Sequence, residues 1–197
     1  MSPTRRPGPP HEVRIIGGQW KRSKLPVADV PGLRPTPDRV RETLFNWLGQ
    51  DLTGWRCLDA YAGSGALGFE AASRGASVAV LLERDPQLAR SLRASRERLG
   101  ASHVAVEQAD AMGYMRRAPA ASFDIVFLDP PFGQGLSEPT LAAAAPLVVP
   151  GGFIYLEAEE ALNESLPASL ALIFRRRGRA GAVHFNLLQS SHAEESP

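Results

Sequence analysis

From residue 55 onward, short apolar runs alternate with longer segments whose apolar residues recur at helical spacing. Apolar runs of this kind, bounded by Gly, Pro, Asp or Glu, are typical of strands buried on both faces of a parallel sheet. We predict such strands at residues 57–61, 77–83, 104–107, 123–128 and 153–156. Between and after them we predict helices at residues 66–74, 86–99, 111–117 and 140–149.

Two final apolar runs, residues 170–174 and 182–188, have no helical pattern between them. The arginine-rich stretch 175–179 is predicted to link them as an antiparallel hairpin. Strand–helix units followed by a hairpin indicate an α/β protein with a doubly wound, mostly parallel sheet and a C-terminal antiparallel hairpin.

The chain before residue 55 has a different pattern. Residues 13–25 predict a short hairpin that turns at Gly17 and Gly18. A helix follows, with Thr36 as the expected N-cap and Pro37 at the first helical position. We therefore divide the chain into four expected parts, which are a disordered basic tail (1–12), a hairpin and helix extension (13–54), the main domain (55–189) and a disordered tail (190–197).

Composition narrows the class of protein. The chain has 197 residues, of which 44% are hydrophobic and 22% are charged, as in globular proteins. A single cysteine, Cys57, excludes an internal disulfide framework and a multi-cysteine zinc site, and the four histidines are scattered, so we expect no metal. We also expect no secretory signal and no membrane span, since the first residues lack an apolar run and later ones are interrupted by Pro and Gly. These features favour a cytoplasmic protein.

Charge is unevenly distributed along the chain. Residues 1–50 contain nine Lys and Arg residues against four acidic ones, although the net charge of the whole chain is only +1. A basic N-terminal part indicates binding of a polyanion, and a solvated basic surface explains the same charge equally well. The arginine-rich stretch 175–179 either extends this polyanion-binding surface or is a solvated hairpin turn. The candidate residues for binding a polyanion such as RNA are Arg14, Lys21, Arg22, Lys24, Arg34, Arg39 and Arg41.

Ligands of doubly wound sheets bind where the parallel strands end, so the residues after each strand are the candidates. The first predicted strand leads into a G-x-G-x-x-G loop, whose glycines permit a sharp turn and close approach of a nucleotide. An acid after the second strand suits ribose hydroxyls, and an acid after the third suits an adenine amine. The alternatives are a ligand-free turn, a Glu83–Arg84 pair and a helix cap by Asp110. The candidate cofactor-binding residues are Asp59, Ala62, Gly63, Ser64, Gly65, Glu83, Arg84, Asp110 and Ala111.

The fourth predicted strand ends in Asp129-Pro130-Pro131-Phe132. The two prolines give the chain a rigid exit from the sheet. The Asp129 carboxyl group, the backbone carbonyls and the Phe132 ring together suit a planar group with a free NH2, such as the exocyclic amine of an extruded base. A proline-rich surface turn with a core phenylalanine is the alternative.

Several of these runs resemble the class I S-adenosylmethionine-dependent methyltransferases. Those that carry an Asp/Asn-Pro-Pro-aromatic tetrapeptide methylate amines. Within them the sequence is similar to the RsmD family of 16S ribosomal RNA guanine-N2 methyltransferases. The matching runs are RIIGGQW (14–20), KLP (24–26), GLRPTPDRVRETLFNWL (32–48), CLDAYAGSGALGFEA (57–71), SRG (73–75) and IVFLDPPF (125–132).

The resemblance implies a Rossmann-like methyltransferase fold and methylation of guanine 966 in 16S rRNA, within the small ribosomal subunit or an assembly intermediate. It implies S-adenosylmethionine bound at the cofactor residues named above and catalysis by Asp129, Pro130, Pro131 and Phe132. We expect a monomer, although the sequence leaves the oligomeric state open. Three alternatives remain, which are an adenine-N6 or other amine methyltransferase on DNA or RNA, a dinucleotide oxidoreductase and an RNA-binding protein without catalysis.

Overall fold

The computed structural model describes residues 11–27 and 36–191. A seven-stranded sheet forms its centre, in the order β5-β4-β3-β6-β7-β9-β8. Strands β3 to β7 pair in parallel, and β9 and β8 add an antiparallel hairpin at one edge. The strands are β3 (Arg56–Asp59), β4 (Val78–Glu83), β5 (Val104–Gln108), β6 (Phe123–Leu128), β7 (Val148–Ala158), β8 (Leu172–Ala180) and β9 (Val183–Ser190).

Helices connect the parallel strands, so the predicted α/β architecture with a doubly wound sheet is confirmed. A second, two-stranded sheet consists of β1 (His11–Arg14) and β2 (Lys24–Val27). A turn of 3-10 helix at Ala145–Leu147 joins α5 to β7. The α-helices are α1 (Asp38–Trp47), α2 (Ala66–Ser73), α3 (Pro86–Leu99), α4 (Ala111–Met115), α5 (Ser137–Ala144) and α6 (Ser165–Ser169).

Four local predictions were wrong. The arginines of 175–179 lie inside β8 rather than in a link, because β8 is an edge strand whose side chains reach solvent. Strand β7 begins at Val148, before the predicted start at residue 153. The tail predicted for residues 1–12 ends earlier, since His11 begins β1, and Ser190 still belongs to β9. The remainder of both predicted tails, residues 1–10 and 192–197, lies outside the described residues.

The N-terminal hairpin and α1 share the core of the main sheet. Leu44 and Phe45 of α1 are fully buried with Phe127 at the centre of β6, and the rings of Phe45 and Phe127 lie 6.1 Å apart. Ile15 from the loop after β1 and Leu25 from β2 belong to the same cluster. The extension is therefore held by the same hydrophobic effect that holds the sheet.

A buried ion-pair network fixes the hairpin on α2. The carboxylate of Glu70, which has no exposed surface, accepts hydrogen bonds of 2.8 Å from the backbone N–H groups of Ile16 and Gly17. Arg74 binds the same carboxylate at 2.8 Å, and Arg41 lies 3.5 Å from it. Because a buried charge needs partners, these contacts require the hairpin loop to lie against α2.

Candidate active site

The loop between β3 and α2 has the geometry of a ligand-binding turn. Gly65 has a φ of +79°, and a Cβ added there would come within 2.6 Å of Phe69 and 2.7 Å of Leu92. Only glycine fits both constraints. Asp59, at the end of β3, accepts a 2.9 Å hydrogen bond from the backbone N–H of Gly68. Burial, with a further contribution from the charge of Glu83, raises the pKa of Asp59 to about 7.

Glu83 joins the end of β4 to this loop. One carboxylate oxygen accepts a 3.0 Å hydrogen bond from the N–H of Gly63, and the other accepts a 2.8 Å bond from the N–H of Asp85. Glu83 is partly exposed and Arg84 is exposed. Among the described residues no ion pair joins the two, which removes the Glu83–Arg84 pair considered above. The carboxylate of Glu83 therefore lies at the rim of the glycine loop.

The other predicted cofactor residues lie around the same turn. Ala62 and Ser64 are buried within the loop, and Ala111 is buried at the start of α4. Asp110 is exposed and caps α4 through a 2.7 Å hydrogen bond from the N–H of Gly113, so the helix-cap alternative is confirmed. A contact of Asp110 with adenine stays a prediction.

The tetrapeptide lies at the same edge of the sheet as the glycine loop. In the parallel pairing of β3 with β6, Asp59 pairs with Phe127, so Asp129 leaves β6 next to the end of β3. Pro130 is buried and Pro131 is exposed. Phe132 is 44% exposed, so its aromatic ring is available for stacking. The predicted meeting of the two motifs is therefore observed.

Asp129 lies in an electrostatically unusual place. Burial raises the pKa of its carboxyl group well above the ordinary value, and the charges of Glu157 and then Asp59 raise it further. The nearby Thr36 hydroxyl opposes these effects, although the hydrogen bond that it donates goes to Glu157. A carboxyl group with such neighbours at the end of a central strand is typical of a functional site.

Sequence reasoning missed three residues at this edge. Oε1 of Glu157 accepts hydrogen bonds from the Thr36 hydroxyl at 2.8 Å and from the Tyr155 hydroxyl at 2.9 Å. Thr36 is therefore not the predicted N-cap of α1, whose N-cap is Pro37 without a side-chain cap. The sequence did contain a signal for Glu157, because this acid follows an apolar run, as Glu83 and Asp129 do.

The predicted RNA-binding residues divide into two groups. Arg41 was wrongly assigned, because it has no exposed surface and pairs with Asp38 at 2.6 Å and with Glu70. Its role is structural, and its Nε lacks a hydrogen-bond partner among the described residues. Arg34 lies outside the described residues. Those that the structure leaves exposed are Arg14, Lys21, Arg22, Lys24 and Arg39.

The exposed basic residues are not all near the tetrapeptide. The loop that carries Lys21 and Arg22 packs against the C-terminal end of α2, where Gln19 donates to the carbonyl of Ser73 at 2.8 Å. The glycine loop precedes the N-terminal end of α2, so these two residues lie toward the opposite edge of the sheet. Lys24 pairs with Glu12 at 2.6 Å in an exposed ion pair.

Residues 11–27 and 36–191 also bear on metal sites and membrane spans. They contain no group of three or more His, Cys, Asp or Glu side chains placed to hold a metal ion. None of the helices in these residues has the length and apolar character needed to span a membrane.

Comparison with known proteins gives a family over most of the chain. The family described as conserved hypothetical protein 95 matches residues 13–189. The chain is 43% identical over 188 residues to ribosomal RNA small subunit methyltransferase D of Escherichia coli strain K12, covering 94% of this chain and 93% of that protein. It is 37% identical over 195 residues to the Haemophilus influenzae protein of the same name, covering 96% and 100%.

Solved structures agree with the fold. The Escherichia coli protein yhhF superposes with a TM-score of 0.80 at 42% identity, covering 91% of this chain and 98% of that one. A Thermus thermophilus 16S rRNA N2 G1207 methyltransferase, RsmC, solved with AdoMet and guanosine, has a TM-score of 0.69 at 24% identity. That match covers 92% of this chain and 50% of the other, and it supports the fold alone.

Proposed function

The chain belongs to the family described as conserved hypothetical protein 95, together with the ribosomal RNA small subunit methyltransferases D, and we propose that it methylates the N2 amine of a guanine in 16S rRNA. The methyl donor in this proposal is S-adenosylmethionine. The substrate is rRNA within the small ribosomal subunit or an assembly intermediate in the cytoplasm, and guanine 966 is the proposed position.

One observation carries the proposal. The glycine loop with Glu83 and the Asp129-Pro130-Pro131-Phe132 exit lie at one edge of one sheet, at the ends of adjacent strands. A nucleoside held by the loop therefore lies beside a set of hydrogen-bond acceptors and an exposed ring. A dinucleotide oxidoreductase would need the first feature but has no use for the second.

The residues of the loop fit an adenosyl group. Gly65 has no space for a side chain because a Cβ would meet Phe69 and Leu92, and Gly63 has a φ of +53°, so the sharp turn of this loop depends on its glycines. The partly exposed Glu83 carboxylate provides two acceptor oxygens for ribose hydroxyls. When bound, S-adenosylmethionine would supply an electrophilic methyl group. The new C–N bond would form as the C–S bond breaks, S-adenosylhomocysteine would leave, and the N–H proton lost by the amine would pass to water.

The residues of the tetrapeptide act on the base. The guanine amine is a poor nucleophile because its lone pair is delocalised into the ring. Hydrogen bonds from its two N–H groups to Asp129 and to the Pro130 carbonyl favour a more tetrahedral, more nucleophilic nitrogen. Phe132 stacks on the extruded base, an interaction of about 1–3 kcal/mol. Holding both reactants in line lowers the barrier by about 7–11 kcal/mol in favourable cases.

The exposed basic residues position the RNA. Arg14, Lys24 and Arg39 contact backbone phosphates, which fix the orientation of the substrate without selecting the base. Base selection then depends on the tetrapeptide and its neighbours. In this proposal the protein acts as a monomer, since one chain contains both the cofactor loop and the acceptors.

A methyl-transfer assay tests the proposal. Small subunits isolated from cells that lack this enzyme are incubated with tritiated S-adenosylmethionine, and the labelled nucleotide is mapped. We expect label on the N2 atom of one guanine, and none when fully modified subunits are used. Label on adenine N6 would favour the alternative that the protein is an adenine-N6 methyltransferase. Binding of rRNA with no label in any nucleotide would favour a non-catalytic binder.

A further inference from the structure

A buried carboxyl group, Glu157, lies beside Asp129 and has no part in the mechanism above. In the parallel pairing of β6 with β7, Leu128 pairs with Leu156. Asp129 follows the last residue of β6, and Glu157 is the next residue of β7, where it still pairs with Phe185 of β9. The two residues therefore lie side by side, with their backbones about 4.8 Å apart as in any strand pair. Glu157 is only 4% exposed and Asp129 is partly exposed, so solvent reaches the pair from the Asp129 side alone.

Two hydroxyl groups hold Glu157 in place. Thr36 and Tyr155 both donate to its Oε1, at 2.8 and 2.9 Å. Tyr155 has no exposed surface, and its ring meets that of Phe127 edge to face at 6.5 Å, which fixes the direction of its hydroxyl. Burial raises the pKa of Glu157, and the hydrogen bonds donated by Thr36 and Tyr155 lower it. The pKa of Asp129 is raised well above its ordinary value, so Glu157 is the member of the pair better suited to carry the negative charge.

Asp129 has the opposite surroundings. The groups that face it are Asp59 from β3, Glu157 and Tyr155 from β7, and the Thr36 hydroxyl from the segment before α1. Within residues 11–27 and 36–191, no Lys or Arg forms an ion pair with Asp129 or Glu157. Where two carboxyl groups lie this close, the second ionisation has to overcome the charge of the first, which favours one proton shared between them.

We propose that Glu157 is a positioning residue that keeps Asp129 as an uncharged carboxylic acid, so that Asp129 presents both a carbonyl acceptor and an O–H donor to the base. This inference rests on the proposed function. An uncharged carboxyl group has the same acceptor and donor pair as an asparagine side chain. In guanine the N2 amine adjoins the N3 acceptor, and that edge is complementary to such a pair.

Four proteins test the inference, which are the wild type, Asp129→Asn, Glu157→Gln and the double variant. Asparagine reproduces the uncharged acid, and glutamine at 157 keeps an oxygen for Thr36 and Tyr155 while removing the charge. Glu97→Gln, an exposed site on α3, is the matched control. The measurement is the pH dependence of single-turnover methyl transfer to small subunits.

We expect the wild-type rate to fall on the alkaline side as Asp129 ionises. Glu157→Gln should move that fall about one pH unit lower, because removal of a neighbouring negative charge lowers the pKa of Asp129. Asp129→Asn should keep activity within about tenfold of the wild type, and its rate should no longer decrease at alkaline pH. The double variant should behave likewise. The Glu97→Gln profile should match the wild type.

Either of two results overturns the inference. The first is a rate for Asp129→Asn more than about a thousandfold below that of the wild type, although the variant folds and binds S-adenosylmethionine. Such a loss would mean that Asp129 acts as a carboxylate. The other is a Glu157→Gln profile that superimposes on the wild type. If Glu157→Gln does not fold, Glu157→Asn replaces it and should shift the fall in the same direction, since it removes the same negative charge.

A carboxyl 13C NMR titration of the cofactor-free protein gives a readout that does not depend on activity. The Asp129 signal, assigned by its loss in Asp129→Asn, should titrate well above the ordinary range and move down in Glu157→Gln. Failure of the wild type to methylate any guanine would contradict the proposed function, whereas an ordinary titration of Asp129 would contradict the inference alone.

Discussion

The hydroxyl of Thr36 donates a 2.8 Å hydrogen bond to Oε1 of Glu157, across 121 positions of sequence. This contact places Thr36, two residues before α1, at the end of the sheet where Asp129 follows β6. The basic N-terminal part of the chain and the proposed reaction site are therefore connected directly, through one buried side chain.

Asp129→Ala should abolish methyl transfer while binding of S-adenosylmethionine persists. Alanine removes the acceptor proposed for the base amine but leaves the glycine loop and Glu83 unchanged. We expect a loss of at least about a hundredfold in rate, comparable to the loss of one preorganised hydrogen-bonding group in other enzymes. Tritium incorporation measures the rate and calorimetric titration measures cofactor affinity. Retained turnover would contradict the catalytic role of Asp129.

Glu83→Ala should weaken S-adenosylmethionine binding at least about tenfold, because the ribose would lose a charged acceptor. The same carboxylate also binds the N–H groups of Gly63 and Asp85, so the thermal midpoint must be measured alongside affinity. Glu107→Ala, on the neighbouring strand β5, is the control. An unchanged dissociation constant for Glu83→Ala would count against the ribose assignment.

Phe132→Ala should weaken binding of the RNA substrate without changing the affinity for the cofactor. The exposed ring has little to contribute to the core, so folding should be nearly unaffected. Loss of stacking of about 1–3 kcal/mol corresponds to a roughly 5- to 150-fold decrease in kcat/KM for the subunit. Phe132→Trp should retain most of the activity. Equal losses in the two variants would argue against stacking.

Arg41→Met should destabilise the fold rather than weaken RNA binding. The substitution removes one of the cations that pair with the fully buried Glu70 carboxylate. We therefore expect the free energy of unfolding to decrease by about 3–5 kcal/mol. Arg39→Met, an exposed site on the same helix, should change that free energy by less than about 0.5 kcal/mol and instead weaken rRNA binding in a salt-dependent way. Urea unfolding and filter binding at several salt concentrations separate the two. An Arg41 variant of wild-type stability with weakened RNA binding would reverse this assignment.

Asp59→Asn should stabilise the protein above neutral pH. The pKa of Asp59 rises from 3.8 to about 7 on folding, so the folded state holds its proton more tightly than the unfolded state. Between these two pKa values the wild type loses stability as the pH rises, by about 1.4 kcal/mol per unit, whereas asparagine has no proton to lose and still accepts from Gly68. Urea unfolding from pH 5 to pH 8 should therefore give diverging curves. Parallel curves would contradict the raised pKa.

The sheet and its ligand edge could be predicted because their signals are local. An apolar run followed by an acid or glycine marks a buried strand and its exit, and Asp59, Glu83 and Asp129 were found in this way. The roles of Arg41 and Thr36 could not be predicted, because each depends on a partner far away along the chain. The edge position of β8 was missed for a related reason, since an exposed edge strand and a polar turn have the same composition.

The clamp of Glu70 on Ile16 and Gly17 has a practical consequence for anyone who handles this protein. Truncation to a fragment that starts at residue 55 would leave a carboxylate without two of its donors and would uncover the apolar surface that Leu44 and Phe45 protect. Expression tags and fusion partners therefore belong before the first hairpin or after the last strand, and a fragment without residues 1–54 should aggregate.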